Sequence, residues 1–398
     1  MNLHKITSHV TYCGVNDRMT DLFEGLWVMP EGVTYNSYIV KGENATAIID
    51  GASAGSAEVY IEHVNRALGG RKPDYLVINH CEPDHTGAVK ALLREFPELT
   101  VVSNAKALDM IKGFYGITDG VKCVADMEEL PLGGATLKFF LTPMVHWPET
   151  MMTLLVEDKV LFSGDAFGCF GALDGAVTDE DIDTGMFMDE MYRYYGCIVA
   201  KYGAFVEKAV KKLSSAEFKV ICSTHGPVWK RTVAQVVDRY LTMARWGAEE
   251  GVTVVYGSMY GNTAALAEAF AERLAAAGIG HVAVHDASRT PASTILADVM
   301  RYRGIVLASP TYNTEIYPPV DYIARALVSR CVANRAVAVL GSYTWGGQAV
   351  RKLTAMLSDT KAEIMEPAVE MRQAIMGDLA PKMDELARNL ADRVKGQW

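Results

Sequence analysis

Tyr75-Leu76-Val77-Ile78-Asn79-His80-Cys81-Glu82-Pro83-Asp84-His85 runs an apolar stretch straight into four metal-ligand side chains, His80, Glu82, Asp84 and His85. The aliphatic run predicts a short buried strand, with the polar cluster on the loop at its end. Extended backbone alternates faces, which predicts His80, Glu82 and Asp84 on one side and His85 returning through a local bend. Pro83 argues against continuation as helix or central strand. Such a cluster beside an apolar strand would cost on the order of several kcal/mol if buried without partners. It is therefore either solvated or metallated, and four ligand-type residues within six positions favour metal.

Three more candidates lie downstream, each just past a predicted strand: His146 in Pro143-Met144-Val145-His146-Trp147-Pro148, Asp165 in Phe162-Ser163-Gly164-Asp165, and His225 in Ser223-Thr224-His225-Gly226-Pro227. Taken singly, each reads as readily as a hydrogen-bonded structural histidine or a turn aspartate. Together they bring the set to four imidazoles and three carboxylates, too many for one tetrahedral zinc. They suit two five- or six-coordinate ions with Asp165 as the bridge. Ligation rich in oxygen, completed by nitrogen and free of thiolate leans to iron or manganese, with zinc still open.

Outward from this cluster the chain reads as two domains, 1–248 and 251–398, divided at the polar stretch Arg245–Gly251. In the first, short apolar runs such as Ala45–Ile49, Leu137–Leu141, Met152–Val156, Val160–Phe162 and Val220–Cys222 alternate with turns and a helical piece at Ala88–Phe96. That is mixed α/β. From Val252 onward strands alternate with helices: Val252–Tyr256, a helix through Leu266, Phe270 and Leu274 stopped by Gly278, Ile305–Ala308, Val320–Leu327, Ala336–Leu340, and a helix through Val350, Leu353 and Leu357. Repeated strand–helix units predict a doubly wound parallel sheet.

The net charge of −10 comes without any basic run and argues against nucleic acid or an anionic membrane as partner. Nothing in Met1–Val10 resembles a secretory leader, and no run approaches the length of a membrane helix. Seven scattered cysteines without a C-x-x-C fit reduced thiols and a cytoplasmic location.

The second domain carries its own chemistry. Ser258-Met259-Tyr260-Gly261-Asn262-Thr263 joins a β-run to an amphipathic helix, so backbone N–H groups and the helix N-terminus can wrap an anion. The loop lacks the Walker lysine and the dinucleotide spacing, which favours a monophosphate. Ser309-Pro310-Thr311-Tyr312-Asn313 and Ser342-Tyr343-Thr344-Trp345-Gly346-Gly347 follow the next two strands. Three strand-end loops with small polar residues, two of them bearing aromatics, suit a flat ring bound by stacking.

The H-x-[HE]-x-D-H loop followed by widely spaced His, Asp and His resembles the metallo-β-lactamase superfamily. Most hydrolytic members have His where this chain has Glu82, and Glu82 matches the variant of the flavodiiron proteins. Thr34-Tyr35-Asn36-Ser37-Tyr38, His146-Trp147-Pro148, Gly164-Asp165-Ala166-Phe167-Gly168 and Tyr194-Tyr195 extend the match, and the second half looks like flavodoxin. The resemblance implies an αββα sandwich fused to a flavodoxin-like domain. It also implies FMN on the three loops, and two irons held by His80, Glu82 and His146 on one side and by Asp84, His85 and His225 on the other, with Asp165 between. The implied activity is reduction of O2 to water, of NO to N2O, or both. The implied partners are rubredoxin, another flavoprotein or reduced F420 as electron donor, and a second copy in a head-to-tail homodimer or dimer of dimers. Tyr195 is the candidate hydrogen-bond or proton donor to substrate. One departure is Phe23-Glu24-Gly25, where many members place a histidine. The alternative from another class is a dizinc hydrolase whose flavodoxin module docks or regulates.

Overall fold

The computed structural model describes residues 4–396. Residues 1–3, part of the leader argument for Met1–Val10 and of the first domain, and residues 397–398 of the second lie outside it. The chain forms two compact units, Met1–Tyr194 with Tyr202–Leu241 and Tyr195–Lys201 with Thr242–Trp398. Arg245–Gly251 is structured rather than a free linker: Trp246 is buried and strand Glu249–Tyr256 begins inside it.

In the first unit a six-stranded sheet runs in the order Val10–Tyr12, Tyr38–Lys41, Thr46–Ile49, Tyr75–Val77, Thr100–Ser103, Val121–Cys123. A five-stranded sheet runs Glu129–Pro131, Thr136–Leu141, Met151–Leu155, Val160–Gly164, Val220–Ser223. The strands nearest the ligands are buried on both faces, as their unbroken apolar text requires. The sheets meet face to face: the Tyr38 ring lies 5.3 Å from that of Phe162, and the Tyr38 hydroxyl donates to the Ser223 carbonyl. Helices such as Ala57–Leu68 close the αββα sandwich. Val160–Gly164 pairs parallel with Val220–Ser223 and antiparallel with Met151–Leu155, which in turn is antiparallel to Thr136–Leu141. The loops bearing His146, Asp165 and His225 thus leave one edge of that sheet.

The second unit has the strand order Val282–Asp286, Glu249–Tyr256, Tyr302–Tyr312, Ala333–Tyr343, then Lys361–Ile364 and Val369–Arg372 on one edge, every neighbour parallel. This is the flavodoxin order, with ligands expected at the carboxyl edge. Leu266, Phe270 and Leu274 face the core from helix Asn262–Ala276.

Two local expectations are corrected. Ser309–Tyr312 and Ser342–Tyr343 are not loops, because both strands run on: Ser309 pairs with Gly341 and Pro310 with Ser342, and Thr311 turns into a hairpin with Ile316. Pro83 does not block a helix; it starts the turn Pro83–Thr86 at a position whose N–H would be unpaired anyway.

Candidate metal and flavin sites

The loop after Tyr75–Val77 is anchored before it presents a ligand. The buried Asp50 carboxylate accepts the Asn79 N–H at 2.7 Å and the Asn79 side-chain amide at 2.8 Å, and the Thr153 hydroxyl donates to Asn79 Oδ1 at 2.7 Å. His80 and Glu82 then share a face, as extended backbone requires. The helical turn that Pro83 opens redirects Asp84, which joins His85 in a second cluster and not His80 and Glu82 as alternation predicts.

All seven candidate ligands come together, in two groups that meet at Asp165. His80 Nε2 and His146 Nε2 lie 3.1 and 3.2 Å from Glu82 Oε2, and His146 Nε2 lies 3.1 Å from Asp165 Oδ2. On the other side His85 Nε2 lies 2.9 Å and His225 Nε2 3.6 Å from Asp165 Oδ1, with Asp84 oxygens 3.3 and 3.4 Å from the same two nitrogens. His225 Nε2 and both Asp84 oxygens are buried atoms without hydrogen-bond partners, which suits them as metal ligands. Four nitrogens and three carboxylates in two groups around one shared carboxylate fit a pair of divalent ions.

The charges act on one another strongly. Burial would raise the Glu82 carboxyl, but hydrogen bonds from His146 and His80 hold it well below the carboxylate range. Asp165 is also depressed against burial, by His85 and His80. Burial would lower the imidazoles; instead Asp84 and Asp165 lift His85 to about 9, and Asp165 and Glu82 lift His146 to about 8.

Several contributors escaped the sequence reading. Glu149, three residues after His146, places Oε1 2.7 Å from His80 Nδ1. The Thr34 carbonyl stands 2.6 Å from His225 Nδ1, and Thr224 donates to Asp165 at 2.6 Å. Tyr194 faces the ligands: its ring is 5.6 Å from His225 and its buried hydroxyl has no hydrogen-bond partner. Adjacent helical residues point about 100° apart, and the segment starting at Tyr195 packs against helix Ala292–Arg301. Phe23 lies 5.4 Å from His225 in the hairpin whose turn holds Glu24, at φ 52°. Glu24 accepts from Trp27 Nε1 at 3.0 Å, and burial followed by the charge of Glu82 raises its carboxyl.

In the second unit a cavity of about 540 Å³ opens between the three loops. Ser258, Met259, Tyr260, Asn262, Thr263, Pro310, Thr311, Tyr312, Asn313, Ser342, Tyr343, Thr344, Trp345 and Gly346 line it, joined by Thr314 and Gln373, which the sequence reading did not select. Gly261, Ser309 and Gly347, which the sequence reading selected, are not among the residues lining it. Gly261 takes φ 93°, so its N–H reaches the Ser258 hydroxyl, and Ser309 Oγ accepts the Tyr317 N–H. Small polar residues at a helix N-terminus with aromatic walls beyond fit the phosphate and flat ring of FMN.

A family model described as "ODP family beta lactamase" matches residues 33–226, and a flavodoxin model matches residues 254–389. The chain is 31% identical to an anaerobic nitric oxide reductase flavorubredoxin of Vibrio vulnificus, over 91% of this chain and 74% of that one. Among solved structures, rubredoxin oxygen:oxidoreductase of Desulfovibrio gigas superposes with a TM-score of 0.94 at 25% identity, covering 99% of both chains. The flavodiiron protein of Giardia intestinalis also gives 0.94, at 26% identity over 99% of this chain and 97% of that one.

Proposed function

The chain belongs to the flavodiiron family, and from that premise we propose that it reduces nitric oxide to nitrous oxide and dioxygen to water. It is an oxidoreductase with FMN and a diiron site, and the dizinc hydrolase alternative is not favoured. The observation that carries the reading is the buried Asp165, whose two oxygens face two separate three-residue groups. When bound, FMN collects electrons singly or in pairs and releases them singly, and the irons offer open positions and electrons to a diatomic gas. Two NO, two electrons and two protons give N2O and water; O2 takes four electrons and four protons.

We assign His80, Glu82 and His146 to one iron, Asp84, His85 and His225 to the other, and Asp165 to both. Tyr194, with its hydroxyl unpartnered beside His225, takes the substrate-side donor role first given to Tyr195. The three loops of the second domain, 251–398, hold FMN. Names of relatives support rubredoxin as electron donor, with another flavoprotein or reduced F420 as other sources. A head-to-tail homodimer would bring one subunit's FMN to its partner's irons. No helix among the described residues is long and apolar enough to cross a membrane, in keeping with a cytoplasmic enzyme.

The test is anaerobic electrode measurement of NO and O2 consumption by the full chain carrying FMN and iron. His80→Ala and Asp165→Ala should abolish both activities while FMN stays bound. Unchanged turnover, or a native complement of two zincs without flavin, would refute the assignment.

A further inference from the structure

We propose that Glu149 is a positioning residue that makes the two metal positions unequal, so that the ion at His80, Glu82 and His146 is held more tightly than the ion at Asp84, His85 and His225. The inference rests on the ligand assignment just given.

Glu149 is 1% exposed. Its Oε1 accepts from His80 Nδ1 at 2.7 Å and from the Cys81 N–H at 3.0 Å, while Oε2 has no hydrogen-bond partner. Its own carbonyl accepts from the Asn104 side chain, and the Trp147 ring stands edge-on to His80 at 5.2 Å. The carboxylate is therefore fixed and directed at one imidazole. A carboxylate behind a ligating histidine sets the tautomer, holds the ring in plane and makes the far nitrogen a stronger donor.

The second position has no such backing. His225 Nδ1 meets the neutral Thr34 carbonyl at 2.6 Å, and His85 Nδ1 is buried without a partner. With Asp165 shared and the buried Asp50 acting on both His85 and His80, the first position adds the charges of Glu82 and Glu149, and the second adds that of its ligand Asp84. In a water-poor site one additional negative charge near a cation matters far more than in bulk solvent.

The experiment follows release of iron from the anaerobic full chain, loaded with FMN and two ferrous ions, into excess ferrozine. Wild type should release its iron in two phases of equal amplitude. Glu149→Gln keeps the shape and removes the charge; it should speed the slow phase about 10- to 100-fold, leave the fast phase alone and move the ferric–ferrous midpoint positive. Glu149→Asp should restore part of both effects, and FMN content reports folding. A slow phase and midpoint unchanged in Glu149→Gln overturn the inference. So does a single release phase in wild type, which decides the matter even where the variant does not fold. Uptake of fewer than two ions would instead overturn the ligand assignment beneath it.

Discussion

The hydroxyl of Thr224 donates to Oδ1 of Asp165 across 2.6 Å, next in sequence to His225. Both partners are buried, so the bond is charge-assisted and fixes the rotation of the carboxylate whose two oxygens face different histidines. Thr224→Val keeps the shape and deletes the donor. The metal-free protein should lose about 1.5–3 kcal/mol of stability, and metal affinity should fall roughly tenfold or more. Thr224→Ser should behave as wild type. Urea unfolding of the apoprotein and iron content after dialysis check this; equal iron retention in Thr224→Val would show that Asp165 needs no such support.

A buried hydroxyl pair joins helix Asn262–Ala276 to strand Ala333–Tyr343 at the flavin site. Thr263 Oγ1 and Ser342 Oγ lie 2.8 Å apart, linking the first turn of the helix after the phosphate loop to the end of the strand that leads into the aromatic segment. Thr263→Val leaves the Ser342 hydroxyl without its partner and removes a candidate phosphate donor. A loss of about 1.4 kcal/mol corresponds to tenfold in Kd, so FMN affinity should drop by about that factor. Fluorescence titration of the flavin-stripped chain measures it, and iron content should not change. An unaltered Kd would mean the hydroxyl pair plays no part in forming the cavity.

The ligand set was legible because chemistry and position coincide: each ligand lies just past an apolar strand, and parallel neighbours carry their carboxyl ends to one edge. The grouping of Asp84 was not legible from alternation, since Pro83 opens a helical turn that alternation cannot foresee. Glu149 and Thr224 were also beyond reach, because their partners His80 and Asp165 are 69 and 59 residues away and only the folded sandwich joins them. The choice between Tyr194 and Tyr195 depends on helix phase, which two adjacent tyrosines do not reveal. In the flavodoxin half the strands outrun their apolar cores, so residues read as loop prove to be strand ends.

Asp179 caps the chain entering helix Val233–Ala244 from far away in sequence. Its carboxylate accepts the backbone N–H groups of Lys230, Arg231 and Thr232 and the Thr232 hydroxyl. Burial works to raise its pKa, but the Thr232 hydroxyl and these N–H groups outweigh it and leave the group lowered from 3.8. A depressed carboxyl contributes stability that is fully present above the unfolded value and lost as pH falls through the folded one. Asp179→Asn should therefore cost about 1–2 kcal/mol at pH 7, and the gap to wild type should narrow as pH falls below 3.8. Urea melts of the two metal-free proteins across pH 2.5–7 test the sign; a gap that widens on acidification would reverse it.

Arg335 is wholly buried and spends its guanidinium on carbonyls: Val299 at 2.9 Å, Met300 at 2.8 Å and Trp246 at 2.6 Å. Val299 and Met300 lie in the last turn of helix Ala292–Arg301, where carbonyls lack intrahelical partners and a cation complements the helix dipole. The same fork holds Trp246, which enters strand Glu249–Tyr256, and that strand leads to the phosphate loop. Arg335→Met preserves much of the volume but leaves three carbonyls without a donor, at roughly 1–3 kcal/mol for each that water cannot reach. The FMN domain of the full chain should unfold at least about 3 kcal/mol more easily, releasing flavin at lower urea. Arg335→Lys should recover little of this, because an ammonium cannot span the fork. Flavin fluorescence along a urea titration reads the transition directly. A shift below about 0.5 kcal/mol, the size of an ordinary surface change, would show that water can replace the guanidinium.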